Sequence, residues 1–303
     1  MNEPAAHIWT GDDLTDDELA AITLLLRESR QFDLDQYKDR CIRRRIAKRL
    51  RSCKVVDVAS YLKRLEMDRD ELDTLLATIS IHVSQFFRNP DTYRILEQKI
   101  LPDLCRRARS AGRTELTLWS AGCASGEEPY SLALLIDDMN VRDLKINILA
   151  TDVSEPILAA ARCGTFEALR LKEVPPEVLN EYFHGNNGHY QVIERIRNQV
   201  EFRQHNIMTA SHYPPADMIL CRNVMIYFTR EEQERILSRF AATLLEHGAL
   251  VLGRSETMTG EMSGKASTFN LRYSVMPSPI TPTRATSTRP RLLSTPLIIF
   301  SII

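Results

Sequence analysis

The pattern of apolar runs in this 303-residue chain predicts an α/β protein: an open, doubly wound parallel sheet that follows an all-helical domain and carries a small antiparallel β insertion. Three observations support this fold class. Helical periodicity without a strand fills the chain to about residue 83, apolar strands and helices alternate from about 114, and that alternation breaks between about 164 and 206. These changes define the expected domain boundaries.

The N-terminal domain is expected to span residues 1–83 and to contain only helices. Its first helix should begin near Leu14, because Thr15 and Glu18 form the pattern of a capping box and apolar residues follow at helical spacing. A linker and connecting helix, 84–113, should come next, because a proline occupies the first-turn position of the following helix. Further helical patterns lie at about 35–52, 56–66 and 69–79.

The second domain, residues 114–276, is expected to contain the sheet. Within it, residues 164–206 form the expected β insertion: GNNGH has the composition of a turn, and HYQVIERIR and QVEFRQHNI have the pattern of short antiparallel strands. Residues 277–303 are rich in Pro, Ser and Thr and predict a flexible tail. The strands of the main sheet are predicted at 115–120, 146–150, 217–221 and 249–252. The helices between them are predicted to end near residues 138, 163 and 246.

Composition and charge limit the class of protein. A hydrophobic content of 44% with 11 glycines and 14 prolines is that of an ordinary globular chain, and the apolar end LIIFSII is far too short to cross a bilayer. The six cysteines have no CxxC spacing, so reduced thiols, no disulfide and no metal site are expected in a soluble, cytoplasmic protein. The formal net charge of −1 conceals a strongly basic segment, YKDRCIRRRIAKRLRS, at 37–52.

The segment TELTLWSAGCASGEEPY, residues 114–130, has the pattern of a cofactor-binding turn between a buried strand and a helix. Gly122 and Gly126 allow the backbone to turn sharply and to approach a ligand closely. In folds that bind a pyrophosphate this helix start lacks acids, because its N–H groups and dipole attract phosphate. Here Glu127 and Glu128 occupy it. They either cap the helix or select a ligand that is cationic or free of phosphate.

A second acid, Asp152, follows the predicted strand KINILA. At the carboxyl end of a strand in a doubly wound sheet, an acid some 20 residues or more after the glycine loop binds a ribose diol. Taken alone, Asp152 equally suits an N-terminal cap of the next helix. Taken with the acidic helix start, it favours S-adenosylmethionine over NAD or ATP.

At five separate places the sequence resembles the chemotaxis receptor methyltransferases of the CheR family. These are AGCASGEEPYSLAL, TDVS, CRNVMIYF at 221–228, VSQFFR at 83–88 and RSET at 254–257, in the family's order, and the resemblance covers about residues 14–276. It implies a class I S-adenosylmethionine-dependent methyltransferase with a Rossmann-like sheet. The implied activity is that of a protein-glutamate O-methyltransferase, which converts glutamates of the cytoplasmic coiled coil of chemoreceptors into 5-O-methyl esters and releases S-adenosylhomocysteine.

The same resemblance implies the residues of the site. Arg88 and Tyr227 are the expected catalytic residues, Arg88 by holding the carboxylate of the substrate or of the cofactor and Tyr227 by orienting the reactants. His82 and Ser84 stand where the family often has Asn and Thr, so His82 is expected to make only a weak contact. The implied cofactor contacts are His82, Ser84, Arg88, Glu128, Asp152, Asn206, Ile207, Asn223 and Val224.

The basic segment predicts a helix with two faces. Ile42, Ile46 and Leu50 define an apolar stripe, while basic residues recur every three or four positions. A solvated face is the ordinary interpretation of such a pattern. The resemblance favours a surface that binds an acidic receptor helix. The residues expected to contact the receptor are Lys38, Arg43, Arg44, Lys48 and Arg51.

Chemoreceptors are the partners that the resemblance implies. Docking of a receptor C-terminal peptide on the β insertion is expected to be weak or absent, because the connection after Tyr182 and Phe183 is short. No nucleic-acid partner, no direct membrane insertion and a monomeric state are expected. Two alternatives stay open: a noncatalytic adaptor that senses S-adenosylmethionine, and an RNA methyltransferase that uses the basic helix for phosphates. The absence of GxGxxG and the acids at the helix start argue against a dinucleotide dehydrogenase.

Overall fold

The computed structural model describes residues 9, 13–30, 32–79, 84–253 and 256, and the backbone alone of 186 and 298–301. His82 and most of the expected tail therefore lie outside the described residues. The helices are α1 Asp16–Arg30, α2 Asp39–Ser52, α3 Val58–Met67, α4 Arg69–Ile79, α5 Pro90–Ile95, α6 Leu101–Ser110, α7 Glu127–Asp138, α8 Glu155–Cys163, α9 Pro176–Tyr182, α10 Glu194–Arg197 and α11 Arg230–Thr243. The strands are β1 Glu115–Ala121, β2 Lys145–Asp152, β3 Thr165–Glu167, β4 Phe183–Asn186, β5 His189–Val192, β6 Val200–Gln204, β7 Ala216–Cys221, β8 Leu244–Leu252 and β9 Ile298–Ser301.

The first four helices pack around one apolar core and form the helical domain. The predicted capping box is present, because the backbone N–H of Thr15 donates to the Glu18 carboxylate at 2.9 Å and the Glu18 N–H donates back to the Thr15 hydroxyl at 3.2 Å. The apolar stripe of α2, formed by Ile42, Ile46 and Leu50, is completely covered by the other helices. Arg40, Arg44 and Lys48 of α2 are exposed, whereas Arg49 pairs with the buried Glu71 of α4.

The main sheet has the strand order β6-β2-β1-β7-β8-β9, and every neighbouring pair is parallel. Helices cover both of its faces. Leu118 of β1 belongs to a core that includes α6 and α7, whereas the next residue, Trp119, belongs to a second core that includes α11. Consecutive residues of a strand point to opposite faces, so this pattern confirms the doubly wound sheet.

The β insertion differs in part from the sequence-based expectation. Its antiparallel sheet, β3-β5-β4, is present. The segment QVEFRQHNI was expected to belong to it, and this prediction is wrong, because β6 pairs in parallel with β2 at the edge of the main sheet. Val200 and Phe202 are buried, while Glu201 and Arg203 between and after them are exposed. An edge strand alternates in the same way as a solvated hairpin strand, so the pattern alone does not distinguish them.

The C-terminal end of the described chain adds a strand to the sheet. Residues 298–301 form β9, which pairs in parallel with β8 between Ala249 and Leu252. The remainder of the expected tail, 277–297, lies outside the described residues. Within the part of the chain that the structure describes, no helix combines the length and the apolar character needed to cross a membrane.

The two domains contact each other through a short stretch of backbone before α2. Tyr37 forms an isolated antiparallel bridge with Phe228, and their rings pack edge to face with centroids 5.0 Å apart. The N–H of Lys38 donates to the Tyr227 carbonyl at 2.9 Å, and its ammonium donates to the Ile226 carbonyl at 2.7 Å. The beginning of α2 is thereby held against the loop that follows β7.

Candidate active site

The glycine loop after β1 packs directly against the loop after β7. Gly122 has a φ of +75°, which favours glycine, and a Cβ atom at this position would lie 2.5 Å from Cγ2 of Val224. The N–H of Ala124 in the same loop donates to the Asp152 carboxylate at 3.0 Å. The absence of a side chain at Gly122 therefore lets three strand ends converge.

Glu128 lies in the first turn of α7, and only 12% of its side chain is exposed to solvent. Its carboxylate accepts a hydrogen bond from the Ser120 hydroxyl at 2.8 Å, and a guanidinium nitrogen of Arg222 lies 3.3 Å away. Burial raises the pKa of Glu128 above its ordinary value, although Arg222 and Ser120 act in the opposite direction. Arg222 and Ser120 together do not fully offset the cost of burying the Glu128 carboxylate. A cationic ligand would therefore stabilise its charged form.

Asp152 ends β2 and is buried. One carboxylate oxygen accepts from the N–H of Ala124 and the other from the N–H of Ser154, at 3.1 Å. Each oxygen of a carboxylate has two lone pairs, so Asp152 keeps acceptor capacity for hydroxyl groups. The two predicted roles coexist: Asp152 orders the turn into α8 and remains available to a diol.

Two adjoining cavities run along the carboxyl ends of the strands. Gly122, Asn223 and Val224 line both cavities, so the two are continuous at these residues. The first cavity is lined by Tyr37, Ile79, Gly122, Asp152, Val153, His205, Asn206, Ile207, Met208, Asn223, Val224, Tyr227 and Phe228. The second is lined by Ser84, Gln85, Arg88, Tyr93, Gly122, Cys123, Ala124, Glu128, Arg222, Asn223 and Val224.

The structure brings eight of the nine predicted cofactor contacts together along these cavities. Asp152, Asn206 and Ile207 line the first cavity, and Ser84, Arg88 and Glu128 line the second, while Asn223 and Val224 line both. The ninth, His82, lies outside the described residues. The predicted set is therefore divided between two ends of one cleft.

The loop after β7 is held by a residue that the sequence analysis did not assign to the site. The Glu256 carboxylate accepts hydrogen bonds from the backbone N–H groups of Asn223, Val224 and Met225, each at 2.8 Å, and of Gly253 at 2.7 Å. Asn223 has a φ of +60°, so this loop adopts an uncommon conformation that the four bonds maintain. The RSET motif containing Glu256 was the available signal.

Arg222 was also missed, although it belongs to the motif CRNVMIYF. Its guanidinium lies near the Glu128 carboxylate, donates to the Arg88 carbonyl at 2.6 Å and stacks over the Tyr93 ring at 5.6 Å. Arg222 is almost fully buried. It therefore links the acid of α7 to the backbone of the linker and fixes the wall of the second cavity.

Tyr227 lies at the mouth of the first cavity, between the two domains. The guanidinium of Arg45, on α2, lies 5.1 Å from the centre of its ring. Burial raises the pKa of Tyr227, while the charges of Arg45 and Arg88 oppose that change. Arg45 was not predicted as a site residue, because on α2 alone it lies between the apolar stripe and the exposed basic residues. Only the domain contact shows that it reaches the Tyr227 ring, which lines the first cavity.

The predicted receptor-contacting residues fall into two groups. Arg44 and Lys48 are exposed, and among the described residues no ion pair involves them. Arg43 instead pairs with Asp39 and Asp16, Lys38 holds the Ile226 carbonyl, and Arg51 donates to the carbonyl of Trp9. The latter three therefore also stabilise the fold.

The residues present fit S-adenosylmethionine. A buried carboxylate with a raised pKa suits an ammonium group, and a second carboxylate with spare acceptor capacity suits a ribose diol. A side chain at Gly122 would collide with Val224, so the glycine lets the two loops that line both cavities meet.

Comparison with protein families supports the same assignment. A family model described as "CheR methyltransferase, SAM binding domain" matches residues 82–275, and one described as "CheR methyltransferase, all-alpha domain" matches residues 17–80. Among solved structures, the glycopeptide N-methyltransferase MtfA has 13% sequence identity over 50% of this chain and 51% of its own, with a TM-score of 0.29. That likeness is too weak to bear on the site.

Curated relatives match most of the chain. The chemotaxis protein methyltransferase of Listeria monocytogenes is 33% identical over 248 residues, which is 82% of this chain and 93% of the relative. That of Borreliella burgdorferi is 31% identical over 88% of this chain and 94% of its own, and that of Escherichia coli K12 is 31% identical over 81% and 86%. The cofactor is S-adenosylmethionine, and this chain belongs to the CheR methyltransferase family.

Proposed function

We propose that this protein transfers the methyl group of S-adenosylmethionine to glutamate side chains of chemoreceptor cytoplasmic domains, forming glutamate 5-O-methyl esters and S-adenosylhomocysteine during receptor adaptation. The observation that carries this function is the gathering of eight predicted contact residues along one cleft, with Tyr227 and Arg45 at its mouth. The names of the relatives, chemotaxis protein methyltransferases, supply the substrate class.

The binding roles follow from the chemistry of the two cavities. Glu128 would pair with the ammonium group of the cofactor, and Asp152 would accept hydrogen bonds from the ribose hydroxyls. Asn206 and Ile207 line the cavity of Asp152 and would contact the nucleoside. Asn223 and Val224 line both cavities and would support the middle of the molecule.

The reaction needs alignment more than acid–base catalysis. When bound, the cofactor supplies a methyl group on a positively charged sulfur. A glutamate side chain, with an ordinary pKa of about 4.3, is already ionised at neutral pH and needs no general base. The task of the protein is to hold the incoming carboxylate in line and to keep water out of the cleft.

Arg45, Arg88 and Tyr227 are suited to that task. Arg88 lines the cavity that contains Glu128, and its positive charge opposes the rise in the pKa of Tyr227, so it would hold the carboxylate of the substrate or that of the cofactor. Arg45 brings a second positive charge to the Tyr227 ring from the helical domain. A guanidinium can hold a carboxylate with two parallel hydrogen bonds, which fixes its direction. Closure of the site therefore requires both domains.

The exposed basic surface of α2, formed by Arg44, Lys48 and the neighbouring Arg40, is the proposed receptor-binding surface. The same helix contacts Tyr227 through Arg45, and Lys38 at its start holds the Ile226 carbonyl, so an acidic helix bound along this surface would lie near the cleft. Arg44→Glu with Lys48→Glu should raise the KM for receptor at least about fivefold and leave the affinity for S-adenosylmethionine unchanged. Lys63→Glu, an exposed lysine of α3, is the control. Unchanged receptor saturation would contradict this surface.

Binding of a receptor C-terminal peptide to the β insertion should be weaker than micromolar, and the enzyme should act as a monomer. The hairpin β4–β5 turns at Asn187 and Gly188 and offers only four residues in each strand. Calorimetry with receptor tail peptides tests the first expectation, and sedimentation equilibrium tests the second. Micromolar peptide binding would require the insertion to take part in tethering.

The decisive experiment is transfer of radiolabelled methyl from S-adenosylmethionine to purified receptor cytoplasmic domains. Label that is released as methanol by base identifies a glutamate methyl ester. Arg88→Ala should abolish most of the transfer, whereas Arg94→Ala, at an exposed arginine of α5, should not. Tight cofactor binding without label on any receptor would instead indicate a noncatalytic adaptor.

A further inference from the structure

The linker that contributes Ser84 and Arg88 to the cleft is held by the β insertion. Arg170, in the 3₁₀ turn after β3, donates from its guanidinium to the Ser84 carbonyl, and its own carbonyl accepts from the N–H of Phe86 at 3.0 Å. One residue of the insertion thus contacts the linker backbone at two points. Neither cavity has Arg170 in its lining.

Aromatic packing fixes the same segment. The Phe86 ring is completely buried and meets Phe166 of β3 and Phe183 of β4 edge to face, with centroids 4.8 and 5.2 Å away. On the opposite side, the N–H of Phe87 donates to the Ser131 hydroxyl of α7 at 2.9 Å. The linker is therefore wedged between the insertion and α7.

Arg170 also approaches a buried charge on α7. Glu127 is completely inaccessible to solvent, and neither of its carboxylate oxygens has a hydrogen-bond partner among the described residues. The Arg170 guanidinium lies 3.5 Å from one of them. Burial raises the pKa of Glu127, and Arg170 opposes that change. Glu127 precedes Glu128, so this pair lies immediately behind the acid of the second cavity.

The other end of α7 is held by the insertion as well. The Asp137 carboxylate accepts from the Tyr182 hydroxyl at 3.0 Å and pairs with Arg195 at 2.5 Å. The insertion thus contacts α7 at its first and last turns. Phe166 packs on both the linker and α7 through the rings of Phe86 and Tyr130, and Arg170 joins the same two segments by polar contacts.

We propose that Arg170 is a positioning residue for cofactor binding: it bridges Glu127 and the Ser84 carbonyl and so holds the linker, with Ser84 and Arg88, at the second cavity. This rests on the proposed location of the cofactor. The β insertion, on this account, completes the cofactor site, whatever it binds on its outer surface.

The test compares the affinity for S-adenosylmethionine with stability in a set of full-length variants. Arg170→Ala should weaken cofactor binding in calorimetry at least about tenfold, the loss expected when a charged hydrogen bond no longer orders the linker. Lys172→Ala, an exposed lysine of the same insertion, should bind like the wild type. Arg170→Lys, which keeps the charge but lacks the branched guanidinium, should recover only part of the affinity.

The double variant Arg170→Ala, Glu127→Gln separates positioning from general stability. Removing the uncompensated buried carboxylate should restore the melting temperature without restoring cofactor affinity. Restoration of both would overturn the inference, since Arg170 would then act only by neutralising Glu127. Wild-type affinity in Arg170→Ala, alongside lost binding in Asp152→Ala, would overturn it while leaving the cofactor site intact. Failure of the wild type to bind would overturn the proposed cofactor location and this inference together.

Discussion

Glu71 of the helical domain and Glu128 of the sheet domain are both glutamates withdrawn from solvent, but their surroundings differ. The Glu71 carboxylate accepts from Arg49 at 2.7 and 2.5 Å and from the Tyr61 hydroxyl at 2.7 Å, and Arg64 lies 3.1 Å away. Burial opposes its ionisation, but these partners outweigh burial and lower the pKa of Glu71 to about 2.

Glu128 has one hydroxyl donor and a single guanidinium at 3.3 Å, and its pKa is raised. It borders a cavity, whereas Glu71 belongs to a closed network between helices. A fully paired buried carboxylate supports the fold, and an incompletely paired one beside a cavity is available to a ligand. The two domains use the same residue type for these separate purposes.

Breaking the Glu71 network should have the largest effect. Arg49→Met removes two charged hydrogen bonds from a buried carboxylate and should lower the free energy of unfolding by about 3 kcal/mol. Urea unfolding followed by circular dichroism measures the change. Arg40→Met, at an exposed position of the same helix, should change it by less than about 0.5 kcal/mol. Equal losses in both variants would show that the network is not the cause.

Neutralising Glu128 should weaken cofactor binding and leave the stability of the fold unchanged. Glu128→Gln should weaken binding of S-adenosylmethionine about 30-fold, which corresponds to about 2 kcal/mol for a charged pair, without lowering stability. Glu71→Gln, the matched variant, should lower stability and leave cofactor affinity unchanged. Isothermal titration calorimetry and thermal unfolding distinguish the two patterns. Unchanged affinity in Glu128→Gln would remove Glu128 from the binding site.

The pH dependence of stability should differ in sign between the two acids. The pKa of Glu71 falls from 4.5 to about 2 on folding, so its contribution is complete above about pH 4.5 and is lost as pH falls towards 2. The pKa of Glu128 rises on folding, so its contribution is complete below about pH 4.5 and is lost as pH rises through the folded value.

Unfolding of the wild type, Glu71→Gln and Glu128→Gln across pH 3 to 7 isolates the two contributions by difference. Cofactor affinity should rise with pH through the range in which Glu128 ionises. If the stability difference between wild type and variant changed with pH in the same direction for Glu71→Gln and Glu128→Gln, the two acids would not differ in the way described.

Much of the fold, and the acids that border the cleft, could be predicted from local sequence. The capping box at Thr15, the strand ending at Asp152 and the acidic start of α7 each depend on residues a few positions apart, so periodicity and turn chemistry identify them. The placement of β6 was missed because pairing with β2 is a long-range choice between two partners that suit the same alternation.

The residues that organise the site were harder to find from sequence. Arg45, Arg170, Arg222 and Glu256 act through contacts that join distant segments, such as Glu256 with the loop 33 residues before it. A single arginine on a basic helix, or an acid after a strand, has no local pattern that specifies its partner. Only the folded chain determines which backbone groups such side chains satisfy.

The hydrogen bonds that Glu256 accepts have a consequence for ligand selection. Successive backbone N–H groups that converge on one point form a concave anion-binding site of the kind that holds phosphate in other proteins. In this chain the convergent N–H groups of 223–225 and Gly253 are already occupied by an internal carboxylate. These four N–H groups are therefore not available to a phosphate, because a carboxylate of the same chain already accepts from them.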